Sequence, residues 1–461
     1  MLLPPKVTLT LLTLAALLSA PDFIPIIKDY HVIDWTSFAK VVDFQPRIKS
    51  QNPIEEEQQR LKPDTSVEKA EVRPLIDPAN ALEPFFASLY STERKDPGAV
   101  TRILHYGDSP TTADLITADV RFLFQKDFGD AGHGFALVGK PWAWYGHRGL
   151  DIKSSGWKIE PANTAELKDG FYGLGAVSFR GSAGAQSRII LKDSTHSSVE
   201  VSFLSQPDGG SFRLLADGAE LGIVDTASPV VTPSFQSFNL PSGVRDLQLS
   251  NVTGGVRLYG VRFSKSVPGV EYNSLGVNGA YISILARMVD EQHWADQLQH
   301  HRPNLVIINY GTNESVYTQF VDTAFERELL RTIVRVRKAV PQAAILIMSP
   351  MDRGQKGADG EITTVPALAR LVAIEQRVAA EKGCAFFNTF EAMGGTGTMG
   401  RWYHAEPRLV GADFIHPMPG GAKIVGNLLY KSLQQGYRAH KLRIAKEKFA
   451  TIKRLSSTQA N

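Results

Sequence analysis

The sequence predicts an α/β fold: a parallel β-sheet with helices on both faces, interrupted by an inserted antiparallel β-sandwich of the jelly-roll kind. Two observations predict the parallel sheet. Apolar runs of strand length are continuous rather than alternating, and they alternate along the chain with segments whose apolar residues recur at helical spacing. A third observation predicts the insertion: residues 146–265 lack a helical period and show short alternating runs separated by turn residues.

Four apolar runs predict strands of the parallel sheet. They are "TRILHYG" (101–107), "PNLVIINYG" (303–311), "AAILIMSP" (343–350) and "CAFFNTF" (384–390). Each is followed by a segment with one apolar face, which predicts a helix. The residues of these faces are Ile116, Val120, Leu123 and Phe124; Phe325, Leu329, Ile333 and Val336; Leu368, Leu371, Val372 and Val378; and Ile424, Leu428 and Leu429.

The central stretch contains the runs "SVEVSFLSQ", "GSFRLLADG", "VRDLQLSNV" and "GVRLYGVRFS". In the first run Val199, Val201 and Phe203 face one way, whereas Glu200 and Ser202 face the other, as in a β-strand. We therefore expect the α/β domain in two parts, residues 75–145 and 266–436, on either side of the inserted residues 146–265.

Both ends of the chain carry patterns of their own. Residues 1–20 place Lys6 before an apolar stretch that ends in small residues, which is typical of a secretory signal or a short membrane anchor and predicts export to the periplasm. Residues 45–74 are polar with scattered prolines and predict a linker. Residues 437–461 are basic, so they predict either a solvated end helix or attraction to an anionic envelope or membrane surface.

Composition excludes several classes of function. A net charge of only +3 over 461 residues argues against nucleic-acid binding. The single cysteine, Cys384, excludes a disulfide within the chain and a cysteine-rich metal site, and its apolar surroundings predict burial. The spacing of His105, His133, His147 and His404 matches no zinc motif. We therefore predict an activity without a metal or organic cofactor.

The stretch "HYGDSPTTADLITADV" places Ser109 on a tight turn between a strand and a helix. A serine there caps a helix or acts as a nucleophile, and a nucleophile requires a base. The segment "ADFIHP" supplies Asp413 and His416 three residues apart. On a turn, that spacing lets the carboxylate hold one ring nitrogen while the other faces a serine.

Acyl transfer also requires donors for an oxyanion. The N–H group of Ser109 is one candidate, and "NSLGVNGA" supplies Gly276 and Gly279. The segment "INYGTNES" places Asn313 just after a strand. Because ligands bind at the carboxyl ends of parallel strands, Ser109 and Asn313 are expected to lie close together.

Taken together, these blocks resemble the SGNH, or GDSL-type, hydrolases, a family with a three-layer α/β domain. The resemblance rests on Gly-Asp-Ser109, Gly279, Gly-Thr-Asn313 and Asp413-x-x-His416, in the family's order. It implies that Ser109 is the nucleophile, that His416 is the base and that Asp413 orients it. It also implies an oxyanion hole formed by the N–H groups of Ser109 and Gly279 and the Asn313 side chain.

Longer segments are similar to the bacterial peptidoglycan O-acetylesterase branch, which carries a carbohydrate-module-like β domain between the serine and glycine blocks. These segments are "FGDAGHGFALVGKPW", "NYGTNES", "TFEAMGGTGTMGRWYH" and "ADFIHP". The chain departs from the family at Pro110 and from the branch at "FFNTF", where the branch has a Trp-Asp pair. The resemblance implies a serine esterase that removes O-acetyl groups from a cell-envelope polysaccharide, with 6-O-acetyl muramic acid of peptidoglycan the leading substrate. Two alternatives remain: a polysaccharide O-acetyltransferase with the same residues, and a non-catalytic glycan-binding protein.

Five further residues adjoin the candidate site. Asp108 is expected to support it by accepting hydrogen bonds from backbone amides of neighbouring loops, and Glu314 by holding the Asn313 loop. The aromatic stretch "WAWY" contains Trp142, Trp144 and Tyr145. These rings either belong to the core or form a rim that stacks against sugar rings.

Overall fold

A computed structural model describes the backbone of residues 75–165 and 167–458, and side chains through residue 447. These described residues belong to one compact unit. The predicted signal or anchor segment (1–20) and the predicted linker (45–74) lie outside the described residues. The strands, in chain order, are β1 (Val100–Gly107), β2 (Gly134–Ala136), β3 (Leu150–Pro161), β4 (Val177–Leu191), β5 (Ser198–Ser205), β6 (Ser211–Ala216), β7 (Ala219–Asp225), β8 (Thr232–Asn239), β9 (Asp246–Thr253), β10 (Val256–Ser264), β11 (Gly269–Gly276), β12 (Leu305–Asn309), β13 (Ala344–Met348), β14 (Gly354–Lys356), β15 (Ile362–Thr364) and β16 (Ala385–Phe387).

The helices alternate with the strands of the α/β part. They are α1 (Glu83–Glu93), α2 (Ser109–Thr112), α3 (Ile116–Phe128), α4 (Glu291–His301), α5 (Thr318–Phe320), α6 (Glu326–Ala339), α7 (Leu368–Glu381), α8 (Thr389–Ala392), α9 (Thr398–Tyr403) and α10 (Pro419–Thr458). Ile284–Met288 and Val321–Phe325 form π-helical turns, and Glu314–Val316 forms a 3-10 turn. The predicted apolar helix faces pack into the core, because long apolar side chains on one stripe must be removed from water.

The main sheet has five parallel strands in the order β11–β1–β12–β13–β16. Four of them coincide with the four predicted apolar runs, which confirms the parallel α/β domain. The fifth, the edge strand β11, was not predicted. Its polar residues Glu271, Asn273 and Ser274 are buried and interrupt the apolar pattern from which a strand could be recognised.

A second sheet contains nine antiparallel strands. Its path runs β7–β6–β9–β4–β10–β5–β8, with β3 paired to β4 and β2 paired to β10. The long strands β3 and β4 join its two halves: β4 pairs with β9 through residues 187–190 and with β10 through residues 179–181. The register of β3 shifts between Ser155 and Trp157, where Gly156 has a φ of +76°. Strand β2, which precedes residue 146, also belongs to this sheet.

Residues 146–265, here called the β insert, are tied to the α/β domain by the second face of β5. Glu200 is buried and lies 3.1 Å from a nitrogen of Arg262 and 3.0 Å from Nε2 of His300 on α4. The His300 ring stacks on Phe235 with centroids 3.5 Å apart. The polar face of this strand is therefore covered by a helix rather than by water, with its charges paired.

The basic stretch from residue 437 continues α10 without a break through Thr458. Lys441 lies 2.7 Å from Glu93, and Arg443 pairs with Glu83, so two of these basic residues bind acidic residues of α1. In the part of the chain that the structure describes, no helix is both long and apolar enough to cross a membrane. Cys384 is buried, as predicted.

The turn that follows β1 presses against the ends of two strands. A Cβ on Gly276, the last residue of β11, would lie 2.1 Å from the backbone nitrogen of Thr112. A Cβ on Gly107 would lie 2.4 Å from the hydroxyl of Thr111. Gly276, one of the two candidate oxyanion glycines, instead ends β11 and lets α2 rest on the sheet.

We expect Gly276→Ala to lower the free energy of unfolding by about 1–3 kcal/mol, because the added methyl group overlaps rigid backbone. Urea denaturation measures this loss. Gly175→Ala is the matched control, since its nearest heavy atom would lie at an ordinary 3.4 Å. Equal stability of the two variants would show that α2 does not depend on this close approach.

Candidate active site

Ser109 is the first residue of the short helix α2 and follows β1 directly. Asp108 takes the N-cap position, and no side-chain cap hydrogen bond is made there. The Ser109 hydroxyl instead lies 2.8 Å from Nε2 of His416. The hydroxyl therefore faces an imidazole rather than the helix backbone, as a nucleophile would require.

Asp413 and His416 lie in the loop before α10. Oδ2 of Asp413 is 2.5 Å from Nδ1 of His416, and Oδ1 accepts the N–H groups of Ile415 and His416 at 3.1 Å each. Partial burial acts to raise the pKa of Asp413, but the bonds from His416 outweigh it and hold the pKa below its usual value. With Nδ1–H donated to this carboxylate, Nε2 is left to accept the Ser109 proton.

Backbone hydrogen bonds fix the Asp413–His416 loop. The N–H of Gly354 donates to the carbonyl oxygen of Phe414 at 2.9 Å, and the N–H of Gly411 donates to that of His416 at 2.8 Å. The side chains of His416 and Asp413 are 44% and 46% exposed. The His416 imidazole is thus held in place while its side chain stays partly open to water.

The candidate oxyanion donors lie in loops after β11 and β12, the strands on either side of β1. Gly279 has a φ of +69°, which favours glycine. The side-chain amide of Asn313 donates to the carbonyl oxygen of Ala280 at 2.9 Å, which ties Asn313 to the Gly279 loop. Among the described residues, neither the Ser109 N–H nor the Gly279 N–H is used in a hydrogen bond to protein. Both donors are available to a ligand.

The Glu314 carboxyl group joins the Gly279 loop to the Asn313 loop. One oxygen accepts the N–H of Ile282 at 2.7 Å and the other accepts the N–H of Gly311 at 3.1 Å. The predicted support of the Asn313 loop therefore has a definite form, one carboxyl group shared by two loops. Burial raises the pKa of Glu314 to about 8, against the lowering effect of the N–H donors.

Asp108 is also buried, and burial raises its pKa to about 6. Its carboxyl group meets the Thr312 hydroxyl and its own backbone N–H, whereas sequence reasoning expected amides of neighbouring loops. Oδ2 has no hydrogen-bond partner. The contact that links Asp108 to the Asn313 loop is thus made by the side chain of Thr312 rather than by a backbone amide. The Gly-Asp-Ser motif alone does not predict this partner.

The aromatic stretch divides between core and surface. Tyr145 is buried, and its hydroxyl accepts the N–H of Leu137 at 2.9 Å; Trp142 is half-buried. Trp144 is 71% exposed. The N–H of the neighbouring Gly146 donates to the carbonyl oxygen of Thr112 in α2 at 3.2 Å. Trp144 is therefore the one of the three predicted rim residues that the structure leaves open beside the Ser109 helix.

Three of the four histidines weighed as zinc ligands have hydrogen-bond partners in the structure. His105 bonds to the Tyr272 hydroxyl at 2.7 Å, His133 lies 2.5 Å from His147, and His404 is exposed. Within residues 75–165 and 167–447, no group of three or more His, Cys, Asp or Glu residues could hold a metal ion.

Sequence reasoning missed Arg353, which lies beyond the carboxyl end of β13. Its Nη1 donates to the carbonyl oxygen of Thr312 at 2.7 Å, one residue from Asn313. Tyr281 and Tyr317 flank the same loop with ring centroids 6.2 Å apart. The position of Arg353 after a strand end was the only available signal, and it is a weak one.

The chain is similar to several known proteins. Residues 242–424 match the sequence model of the GDSL-like lipase/acylhydrolase family. The fold matches a solved peptidoglycan O-acetylesterase with a TM-score of 0.67 at 22% identity, covering 79% of this chain and 99% of that one. A family two carbohydrate esterase from Clostridium thermocellum, solved with cellohexaose, matches with a TM-score of 0.25 at 13% identity, covering 62% and 100% of the two chains. No curated protein sequence matches.

The raised pKa of Glu314 predicts a pH-dependent stability. The folded-state pKa of about 8 lies above the usual 4.5. The contribution of Glu314 to the free energy of unfolding is therefore complete below about pH 4.5 and is lost as the pH rises through 8. Glu314→Gln carries no titrating proton. From about pH 5 to about pH 8, the wild-type free energy of unfolding should therefore fall relative to that of the variant by at least about 1 kcal/mol.

Urea denaturation at the two pH values measures this difference, with Glu361→Gln at an exposed position as the control. A gap between wild type and Glu314→Gln that stays constant over the range would show that Glu314 is ionised throughout.

Proposed function

We propose that the chain is a carboxylic ester hydrolase of the GDSL-like lipase/acylhydrolase kind, whose sequence model matches residues 242–424, and that it removes O-acetyl groups from a cell-envelope glycan. Peptidoglycan acetylated at O-6 of muramic acid is the proposed substrate. The observation that carries the proposal is the chain of contacts from Ser109 Oγ through His416 to Asp413, at 2.8 and 2.5 Å.

In the first half of the proposed reaction, Ser109 Oγ attacks the acetyl carbonyl carbon while its proton passes to Nε2 of His416. The Asp413 carboxylate stabilises the imidazolium that forms. The tetrahedral oxyanion accepts hydrogen bonds from the N–H groups of Ser109 and Gly279 and from the Asn313 amide. As the bond between the acetyl carbon and the sugar oxygen breaks, His416 returns the proton to that oxygen.

The second half repeats these steps with water. Water attacks the acetyl carbon on Ser109 and gives a proton to His416, acetate leaves, and the Ser109 hydroxyl regains its proton. An O-acetyltransferase would instead require a sugar hydroxyl to outcompete water. The half-exposed side chains of His416 and Asp413 favour hydrolysis, because water can reach the base that would activate it.

Three features support a glycan as substrate. The structurally similar esterase acts on peptidoglycan, as its name states. Trp144 offers an exposed ring beside α2, on which a pyranose could stack. The antiparallel sheet supports the interpretation of the β insert as a jelly-roll module of the carbohydrate-binding kind. The rival reading, a glycan-binding protein without activity, leaves the Ser109–His416–Asp413 geometry without a purpose.

The proposed substrate lies outside the cytoplasm. Export to the periplasm rests on the signal-like pattern of residues 1–20, and attachment to the envelope rests on that segment and on the basic end of the chain. Lys441 and Arg443 pair with acidic residues of α1. The other basic residues of this stretch would therefore be the ones that contact an anionic surface.

Ser109→Ala should abolish acetate release from both p-nitrophenyl acetate and O-acetylated peptidoglycan, because no other group takes the acetyl carbon. Circular dichroism and urea denaturation show whether the fold is retained. Ser242→Ala, at an exposed position of the β insert, is the control. Turnover that survives in Ser109→Ala would remove Ser109 from the nucleophile's role, and acetylated xylan as a better substrate would overturn the glycan assignment.

Asn313→Ala should lower kcat on the order of 10²- to 10³-fold, as loss of one oxyanion donor does. The exposed amide of Gln319 lies on the same segment, so Gln319→Ala is the matched control. Steady-state hydrolysis of p-nitrophenyl acetate measures both. A loss below about threefold in Asn313→Ala would place Asn313 outside the oxyanion hole.

A further inference from the structure

Arg353 lies between the two loops that flank Ser109. Its side chain reaches the first loop, where Nη1 donates to the carbonyl oxygen of Thr312 at 2.7 Å. Its backbone adjoins the second, because the N–H of Gly354 donates to the carbonyl oxygen of Phe414, between Asp413 and His416. The guanidinium is therefore at the active site and not on a remote surface.

The guanidinium of Arg353 is half-buried and incompletely paired. It has five N–H donors, and the bond to Thr312 uses one. Among the described residues, no carboxylate lies within 4.0 Å of it, since no ion pair of Arg353 is present. Its remaining nitrogens are not sealed from solvent. Burial lowers the pKa of Arg353, while Asp108 and Asp413 act in the opposite direction through their charge.

Other buried arginines of the chain are satisfied differently. Arg121, Arg257 and Arg262 lie 2.7, 2.7 and 3.1 Å from carboxylate oxygens of Asp114, Asp169 and Glu200. Arg335 donates hydrogen bonds from two nitrogens to backbone carbonyl oxygens. Arg353 alone among these five combines partial burial, a single protein acceptor and a place beside the catalytic serine.

A partly desolvated cation without a counter-ion is a strong site for an anion, and a guanidinium holds a carboxylate with two parallel hydrogen bonds. We propose that Arg353 binds a carboxylate carried by the glycan near the acetylated hydroxyl, so that the enzyme selects acidic over neutral acetylated glycans. This inference rests on the proposed function. The carboxylate belongs either to a carboxyalkyl ether on the sugar or to a peptide attached to it.

The surroundings of Arg353 suit a sugar. Tyr317 is 55% exposed, and its ring lies 6.2 Å from that of Tyr281, two residues after Gly279. Thr312, which accepts the Arg353 hydrogen bond, lies in the loop that these two tyrosines flank. Aromatic faces next to a cation accommodate the apolar face of a pyranose and its acidic substituent together.

The test uses matched soluble substrates. They are O-acetylated disaccharide with a free ether carboxylate, O-acetylated disaccharide-peptide, and each of these after amidation of its carboxylates. p-Nitrophenyl acetate, which has no carboxylate, reports on the catalytic groups alone. Acetate release gives kcat and KM for wild type, Arg353→Gln, Arg353→Lys and Arg370→Gln, in which an exposed arginine 3.4 Å from Asp322 loses the same charge.

Wild type should prefer the acidic forms over the amidated ones by about 10- to 100-fold in kcat/KM, mainly through KM. Arg353→Gln should lose this preference, falling much further on acidic glycans than on p-nitrophenyl acetate. Arg353→Lys should recover part of it, and Arg370→Gln should keep all of it. The preference should weaken as salt is added. Whichever acidic substrate loses more in Arg353→Gln identifies the ether or the peptide carboxylate.

Equal wild-type kcat/KM on acidic and amidated glycans would overturn the role of Arg353 and leave the proposed function intact. The same follows if Arg353→Gln loses an equal factor on p-nitrophenyl acetate, because Arg353 would then only position the Thr312–Asn313 backbone. No acetate release from any glycan, by an enzyme active on p-nitrophenyl acetate, would instead overturn the proposed substrate and the role of Arg353 with it.

Discussion

The hydrogen bond between Ser109 Oγ and His416 Nε2 joins residues 307 positions apart, and the arrangement of the molecule is what keeps it at 2.8 Å. Ser109 is fixed because α2 rests on the glycine ends of β1 and β11. His416 is fixed because its loop is bonded to Gly354 and Gly411 and because Asp413 accepts two of its own loop's N–H groups. A serine hydroxyl exchanges a proton with an imidazole only at hydrogen-bond distance, so these supports precede any chemistry.

Behind this pair, the protein buries two carboxyl groups that water would otherwise stabilise as anions. Glu314 joins the loops of Gly279 and Asn313, and Asp108 meets Thr312 in front of it. Burial raises the pKa of Asp108 to about 6 and that of Glu314 to about 8, so the Glu314 carboxyl group below the oxyanion donors is largely uncharged at neutral pH. Fewer fixed anions near the donors favour a site that must accept a developing oxyanion.

Sequence reasoning succeeded where a pattern is local. Four strands of the main sheet are continuous apolar runs, and Ser109, Asp413 and His416 occur in short motifs at element boundaries. Strand β11 was not predicted because its buried polar residues have distant partners. Asn273 accepts the N–H of Phe135 and donates to the carbonyl oxygen of Ile103, each more than 130 positions away. The partner of Asp108 and the place of Arg353 depend in the same way on which loops the fold brings together.

The contact of His300 with Phe235 and Glu200 shows that the β insert cannot be treated as a detachable module. Excision of residues 146–265 would remove Phe235 and Glu200, the two partners of His300. It would also remove β10, the strand with which Gly134–Ala136 pairs. The surface of α4 left behind would be apolar and histidine-rich, with its hydrogen-bonding groups unmatched. The two halves of this protein therefore share packed and charged contacts, and any recombination with another module has to rebuild that interface as well as the linking peptides.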